Sequence, residues 1–186
     1  MYYKLLTEFE HCENHVMCYS DENFNFDVYD PMSGELIRSE PEFLFYFDEN
    51  EGNILTDFIA NNLGWVLVSK KVKKIFERSV TDIQFLCTSI IEKNSNKIIE
   101  DYFVANILTV VDALNINQST VSEMKIDGET ILSVIKFALN EENIESYDVF
   151  KVKDHELSTF ISESMKDLFG KNNVSGVDLL KIKTVK

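Results

Sequence analysis

The alternation of apolar and polar positions along the chain predicts more strand than helix. YYKLL at 2–6, HVMCY at 15–19 and the alternating FNFDVY at 24–29 read as strands, and FLFYF at 43–47 is apolar enough for a buried or half-buried one. DPMSG at 30–34 carries the proline and glycine of a turn. TDFIANNLG at 56–64 reads as a short helix, with Phe58, Ile59 and Leu63 at helical spacing, Thr56 as N-cap and Gly64 as stop. Enrichment in Val, Ile, Thr and aromatics predicts a strand from Asp101 to Val111. Asp127-Gly128 is a two-residue hairpin signal, because that turn needs positive φ, and a long strand follows through TILSVIKFAL.

Two stretches share one plan. WVLVSKKVKKIFERSVTDIQFL at 65–86 and STFISESMKDLFGKNNVSGVDLL at 158–180 each run from an apolar strand through a serine and a short amphipathic helix to a loop and another strand. Ser69 matches Ser162, Val72 matches Met165, Ile75 matches Leu168 and Phe76 matches Phe169. Each serine stands where its hydroxyl caps a helix, worth about 1 kcal/mol, and the apolar positions at i, i+3 and i+4 face a sheet. Lys70, Lys71, Lys73, Lys74 and Arg78 fall on the exposed flanks of the first helix. The expected fold is α+β: mostly antiparallel sheet, a few short helices and two strand-Ser-helix-strand units. An acidic, strand-rich lobe at 1–63 and an α+β domain at 64–186 are expected to form one continuous unit.

Charge and cysteine content narrow the partners. The chain of 186 residues, 45% hydrophobic, has net charge −14 and can bury a real core. Residues 1–60 hold 14 Asp or Glu against Lys4 and Arg38, so nearly all of the net charge is in the first third. Such asymmetry attracts a basic partner and repels nucleic acid and anionic lipid, so neither nucleic acid nor membrane is expected as a ligand. Three cysteines make no disulfide framework, and MYYKLLTEFEHC has no basic n-region leading into an apolar stretch; both fit the cytoplasm.

The chain carries little that resembles catalytic chemistry. LVSKK and FISES lack the glycines of a nucleophile elbow. DENEGN at 48–53 fails as a calcium loop, since Gly52 falls at the fifth position and Ile59 where the bidentate Glu belongs. Phosphate-loop, dinucleotide, H-E-x-x-H and C-x-x-C motifs are lacking, and His155 is assigned no role. HCENHVMC at 11–18 crowds His11, Cys12, His15 and Cys18 into eight residues. Tetrahedral zinc sites take ligands from separated segments, whereas a strand here sets Cys12 and Cys18 opposite His11 and His15. Neither a metal nor a cofactor is expected.

GWVLVSKKVKKIFE, DYFVANILTVVDALN, DVFKV, FISESMKDLF and the terminal VSGVDLLKI resemble a family of bacterial immunity proteins from polymorphic toxin systems, formerly a domain of unknown function. The resemblance spans residue 64 to the end, with Tyr2, Tyr3 and Leu5 echoing the family's opening strand. It implies an α+β inhibitor that binds a toxin encoded beside it and has no enzymatic activity. The expected interface charges are Asp21, Glu22, Asp27, Asp30, Glu40, Glu42, Asp48, Glu49 and Glu51. Candidate aromatic anchors are Phe24, Phe26, Tyr29, Phe43 and Tyr46. The alternatives are a metal-binding protein or enzyme using the His/Cys cluster, and an effector adaptor or chaperone-like module.

Overall fold

In the computed structural model, Ser69 and Ser162 both cap helices, and they do so by the same means. Each hydroxyl accepts from the backbone N–H three residues on, Val72 and Met165 at 3.4 and 3.2 Å. Each donates its proton to an aspartate, Ser69 to Asp57 at 2.7 Å and Ser162 to Asp148 at 2.6 Å. The two serine N–H groups also donate to the carbonyls of those same aspartates. The structure describes residues 1–8, 12–20, 27–38, 43–79, 82–126 and 129–186.

The first half runs β1 (Tyr2–Thr7), β2 (Met17–Cys18), α1 (Asp30–Ser33), β3 (Phe43–Phe47), β4 (Phe58–Asn61), β5 (Leu67–Ser69), α2 (Lys70–Phe76) and β6 (Ile83–Glu92). The second runs β7 (Ile98–Ile107), β8 (Val110–Val111), β9 (Thr120–Ile126), β10 (Glu129–Lys136), β11 (Ala138–Asn140), α3 (Glu141–Ile144), β12 (Val149–Val152), β13 (His155–Ser162), α4 (Glu163–Lys171), β14 (Val177–Lys181) and β15 (Lys183–Val185). One sheet has the order β2-β4-β5-β7-β6-β3 and the other β14-β1-β13-β12-β8, with separate pairs β9–β10 and β11–β15.

Five strands of the first sheet repeat in the second, and β3 is an addition at the first sheet's edge. β2-β4-β5-β7-β6 corresponds to β8-β12-β13-β1-β14, with the outer pair parallel and the rest antiparallel in both. Registers agree as well: Ser69 lies opposite Tyr102 and Ser162 opposite Tyr2, while Phe58–Val68 matches Val149–Ile161 and Phe85–Ala105 matches Leu179–Leu5. β1 belongs to the first half yet sits between β13 and β14 of the second, and β7 of the second half sits between β5 and β6 of the first. The halves have exchanged a strand. A shared interior joins them: Val72, Ile75 and Phe76 of α2 meet Met165 and Phe169 of α4 together with Val68, Ala105, Tyr3 and Ile161 from both sheets. The equivalent rings Phe76 and Phe169 lie 5.9 Å apart, each also against Phe58.

The fold is strand-rich with few short helices, and its sheets are mixed. β2, β3 and β8 add in parallel at sheet edges, and β11–β15 is a parallel pair; parallel addition needs a long connection, which the intervening segments supply. Residues 56–64 are not a helix. Phe58–Asn61 is strand β4, paired with β5 across a turn in which Gly64 has φ +70°. Asn61, a poor helix former, instead accepts from Trp65 N–H and donates to Trp65 C=O. Thr56 caps nothing and donates its hydroxyl proton to Phe58 C=O at 2.6 Å. Asp27–Tyr29 is a turn leading into α1, not the end of a strand, and the 30–34 turn contains one helical turn closed by Gly34; residues 24–26 lie outside the described residues. β9 and β10 pair with Ile126 opposite Glu129, and Asp127 and Gly128 between them lie outside the described residues.

Candidate partner-binding surface

β3 alternates inward Phe43, Phe45 and Phe47 with outward Leu44 and Tyr46, and it delivers Tyr46 and Asp48 to the same outer side. Phe43 is fully buried against Trp65, which makes it core. Tyr46 exchanges two 2.8 Å backbone hydrogen bonds with Tyr19, and the two rings line an open groove of about 510 Å³ with Ser20, Asn62 and Lys93. The Lys93 ammonium lies 5.8 Å from the Tyr19 ring centre.

The acidic loop 48–51 follows β3 directly and is tied down by two carboxylates. Asp48 Oδ1 accepts from Asn50 N–H and Nδ2 and from Asn94 Nδ2, all at 2.9–3.0 Å. Glu92 accepts from the Ser95 hydroxyl and N–H, the Asn94 N–H and the Glu49 N–H. The Ser95 hydroxyl and these backbone donors pull the Glu92 carboxyl down to about 2. The Asn50 N–H likewise holds Asp48 below the usual carboxylate range, helped by Asn94 and Asn50 side chains. Gly52 closes the loop where a Cβ would stand 2.3 Å from His15 C=O, so only glycine lets the loop lie on the Asn14–His15 backbone. Glu49 and Glu51 are left exposed on this tied-down loop.

Asp27 and Asp30 lie on a separate segment. Asp27 Oδ1 accepts from Tyr29 N–H at 3.0 Å and its C=O accepts from Asp30 N–H at 2.8 Å, which starts α1 with Asp30 in its first turn. Trp65 Nε1 anchors the segment through Val28 C=O at 2.9 Å, and Tyr29 beside it is 59% exposed. Asp21, Glu22, Glu40, Glu42, Phe24 and Phe26 lie outside the described residues. Asp48, Glu49 and Glu51 thus follow Tyr46 on one segment, and Asp27, Tyr29 and Asp30 lie on another. Tyr19 was missed in the sequence; its only signal was its place at the end of HVMCY.

The cysteines and histidines do not fall as strand alternation predicts. His15 N–H donates to Cys12 C=O at 2.9 Å, so residues 12–15 turn and bring Cys12 and His15 to one small cavity with Glu8. His15 Nδ1 stands 3.7 Å from Glu8 Oε2, which also accepts from Gly176 N–H. Cys18 is buried in the core, its thiol pushed up to about 12 by burial. His11 lies outside the described residues. Among the described residues no group of three or more His, Cys, Asp or Glu is placed to hold a metal ion.

Three of the four α2 lysines are engaged by the protein itself. Lys70 pairs with Asp101 at 2.8 Å and Lys71 with Asp57 at 2.6 Å, while Lys73 stands 4.1 Å from the Phe103 ring centre and 3.9 Å from Glu77. Burial alone raises the Asp57 carboxyl, but Lys71, the Ser69 hydroxyl and the Ser175 N–H outweigh it and leave it lowered.

A family model described as an immunity protein family (Imm11) matches residues 7–184. No curated protein matches the chain. The match takes in the acidic first third as well as the second half.

Proposed function

The chain belongs to the Imm11 immunity protein family, and from that premise we propose that it binds a cognate toxin stoichiometrically in the cytoplasm and neutralises it by occlusion, with no chemistry of its own. The family match along residues 7–184 carries this reading. The acidic loop supports the finer part of it. A charged rim steers a partner of opposite sign and raises its association rate, while neighbouring aromatics supply the buried contact. Exposed Glu49 and Glu51 on the loop that follows Tyr46 have that composition, and Asp27, Tyr29 and Asp30 repeat it. The toxin domain that fits is basic on the surface it presents here.

The test is bacterial growth during expression of the neighbouring open reading frame, with and without this protein, followed by co-purification at low and high salt. Rescue with a complex that weakens as salt rises is the expected outcome. Charge reversal of Asp27, Asp30, Glu49 and Glu51 to Lys should slow association at least tenfold and flatten its salt dependence. Toxicity without rescue refutes the immunity reading. Rescue and association untouched by the reversals refute the acidic steering alone.

A further inference from the structure

The repeated architecture permits each surface to be compared with its counterpart in the other half. On the outer face of the first sheet, Val104, Asn106 and Leu86 are 0–4% exposed. The segment after α1 lies over them: Asn106 Nδ2 donates to Glu35 C=O at 2.7 Å, and the Gln84 side chain accepts from Ile37 N–H and donates to Ile37 C=O. Strand register makes Lys4, Leu6 and Leu180 the counterparts of Val104, Asn106 and Leu86, and Asp178 the counterpart of Gln84. Here the face is open. Leu6 and Leu180 are 39% and 54% exposed, and with Phe137 and the exposed Ile135 they wall a groove of about 620 Å³.

Among the described residues, four lysines line that groove, Lys4, Lys136, Lys181 and Lys183, and no carboxylate does. Lys4 stands 5.2 Å from the Phe137 ring centre and Lys183 donates to Gln118 Oε1. Among the described residues none of the four is ion-paired with a carboxylate, unlike Lys70, Lys71, Lys73 and Lys166. Asp178 lies beside Leu6 at the groove's end, outside its lining. A cationic, apolar cleft in a chain of net charge −14 is a local reversal of sign.

We propose that this groove is a docking site for an extended, acidic polypeptide segment of a partner protein that carries apolar side chains. Such a segment would lie on the second sheet as Glu35–Ile37 lies on the first. The internal counterpart argues for a polypeptide, because backbone groups and an apolar side chain are what cover the equivalent face. The lysines argue for acidic residues on it. The overall negative field opposes an extended polyanion such as a membrane or a nucleic acid, whereas a short segment inside the groove is within a Debye length of about 8 Å of the lysines. The inference stands apart from the immunity reading and is tested without a toxin.

The probes are three synthetic 12-residue peptides with the same Leu and Phe positions, the remaining positions Asp/Glu, Ser or Lys, together with vesicles containing phosphatidylglycerol. Binding to the full-length protein is followed by fluorescence anisotropy and by amide chemical shifts. The acidic peptide should bind at least tenfold more tightly than the Ser and Lys versions and shift Leu6, Ile135 and Leu180. Lys136→Glu with Lys183→Glu should weaken it at least tenfold, and Leu180→Ser, at an exposed position, should do so without altering the charge. No binding by the acidic peptide, equal binding of the Lys peptide at these residues, binding untouched by both variants, or vesicle binding that outcompetes the acidic peptide would each overturn the proposal.

Discussion

Replacing Lys151 by Met should stabilise the protein at neutral pH and lose that advantage in alkali. Lys151 is 1% exposed on β12, and its Nζ donates to Glu156 C=O at 2.6 Å. Burial pushes its pKa down to about 8, with the Glu156 charge a partial offset. The gap to the ordinary 10.5 represents about 3 kcal/mol that the folded state loses by holding the ammonium out of water. Methionine fills a similar volume without charge, but it leaves the Glu156 carbonyl without this donor, at a cost of about 1 kcal/mol. A net gain of about 2 kcal/mol is therefore expected at pH 7. Above pH 8 the wild-type lysine deprotonates in the folded state while the unfolded chain still binds the proton, so wild-type stability rises until about pH 10.5. Urea midpoints for both proteins at intervals from pH 7 to pH 10.5 isolate the effect, since other groups titrate alike in each. The stability difference should fall by about 3 kcal/mol across that range and change sign. A difference independent of pH, or a variant weaker than wild type at pH 7, would refute the reasoning. The counterpart of Lys151 in the first half is Ala60, so the strand position itself does not require a lysine.

Ser69→Ala and Ser162→Ala should each cost about 1 kcal/mol in chemical denaturation, the loss of a cap, and more where the partner aspartate stays buried without its donor. Glu92→Gln should destabilise at pH 7, and its deficit relative to wild type should shrink as the pH falls toward 2: the lowered folded-state carboxyl contributes fully above the unfolded value near 4.5, and that contribution is lost as the folded group is protonated. Cleavage at a protease site inserted in the exposed turn 93–97 should leave the two fragments co-eluting under native conditions, because each holds a strand inside the other's sheet. Separation without denaturant would refute the exchanged topology.

Local features were legible in the sequence and distant ones were not. The capped helices showed because the Ser and the apolar positions of α2 and α4 lie within seven residues and repeat in register. Their aspartates did not, since Asp57 precedes Ser69 by twelve residues and Asp148 precedes Ser162 by fourteen. The 56–64 segment misled because Phe58 and Ile59 satisfy either period, and tertiary pairing with β5 decided for the strand. The turn at 12–15 was hidden by Val16 and Met17, whose strand character ends at His15. At the acidic surface, charge was visible in composition, but the separation of Asp48, Glu49 and Glu51 from Asp27 and Asp30 depends on which strand each segment follows. The lysine groove had no signal at all, because its four cations come from three distant stretches of chain.

The exchanged strands carry a consequence for synthesis. β1 leaves the ribosome well before β13 and β14, its neighbours in the described sheet, which are made about 150–180 residues later. At ~5–20 residues per second, Tyr2–Thr7 waits on the order of 10–35 s before it can be paired. β7 waits for no such interval, since β5 and β6 precede it. Assembly of the second sheet is thus deferred until β13 and β14 have been made, and before then a nascent chain cannot present that sheet. For an inhibitor made alongside its toxin, protection would begin with finished molecules, and the cell's margin of safety would rest on how many of them are already in stock.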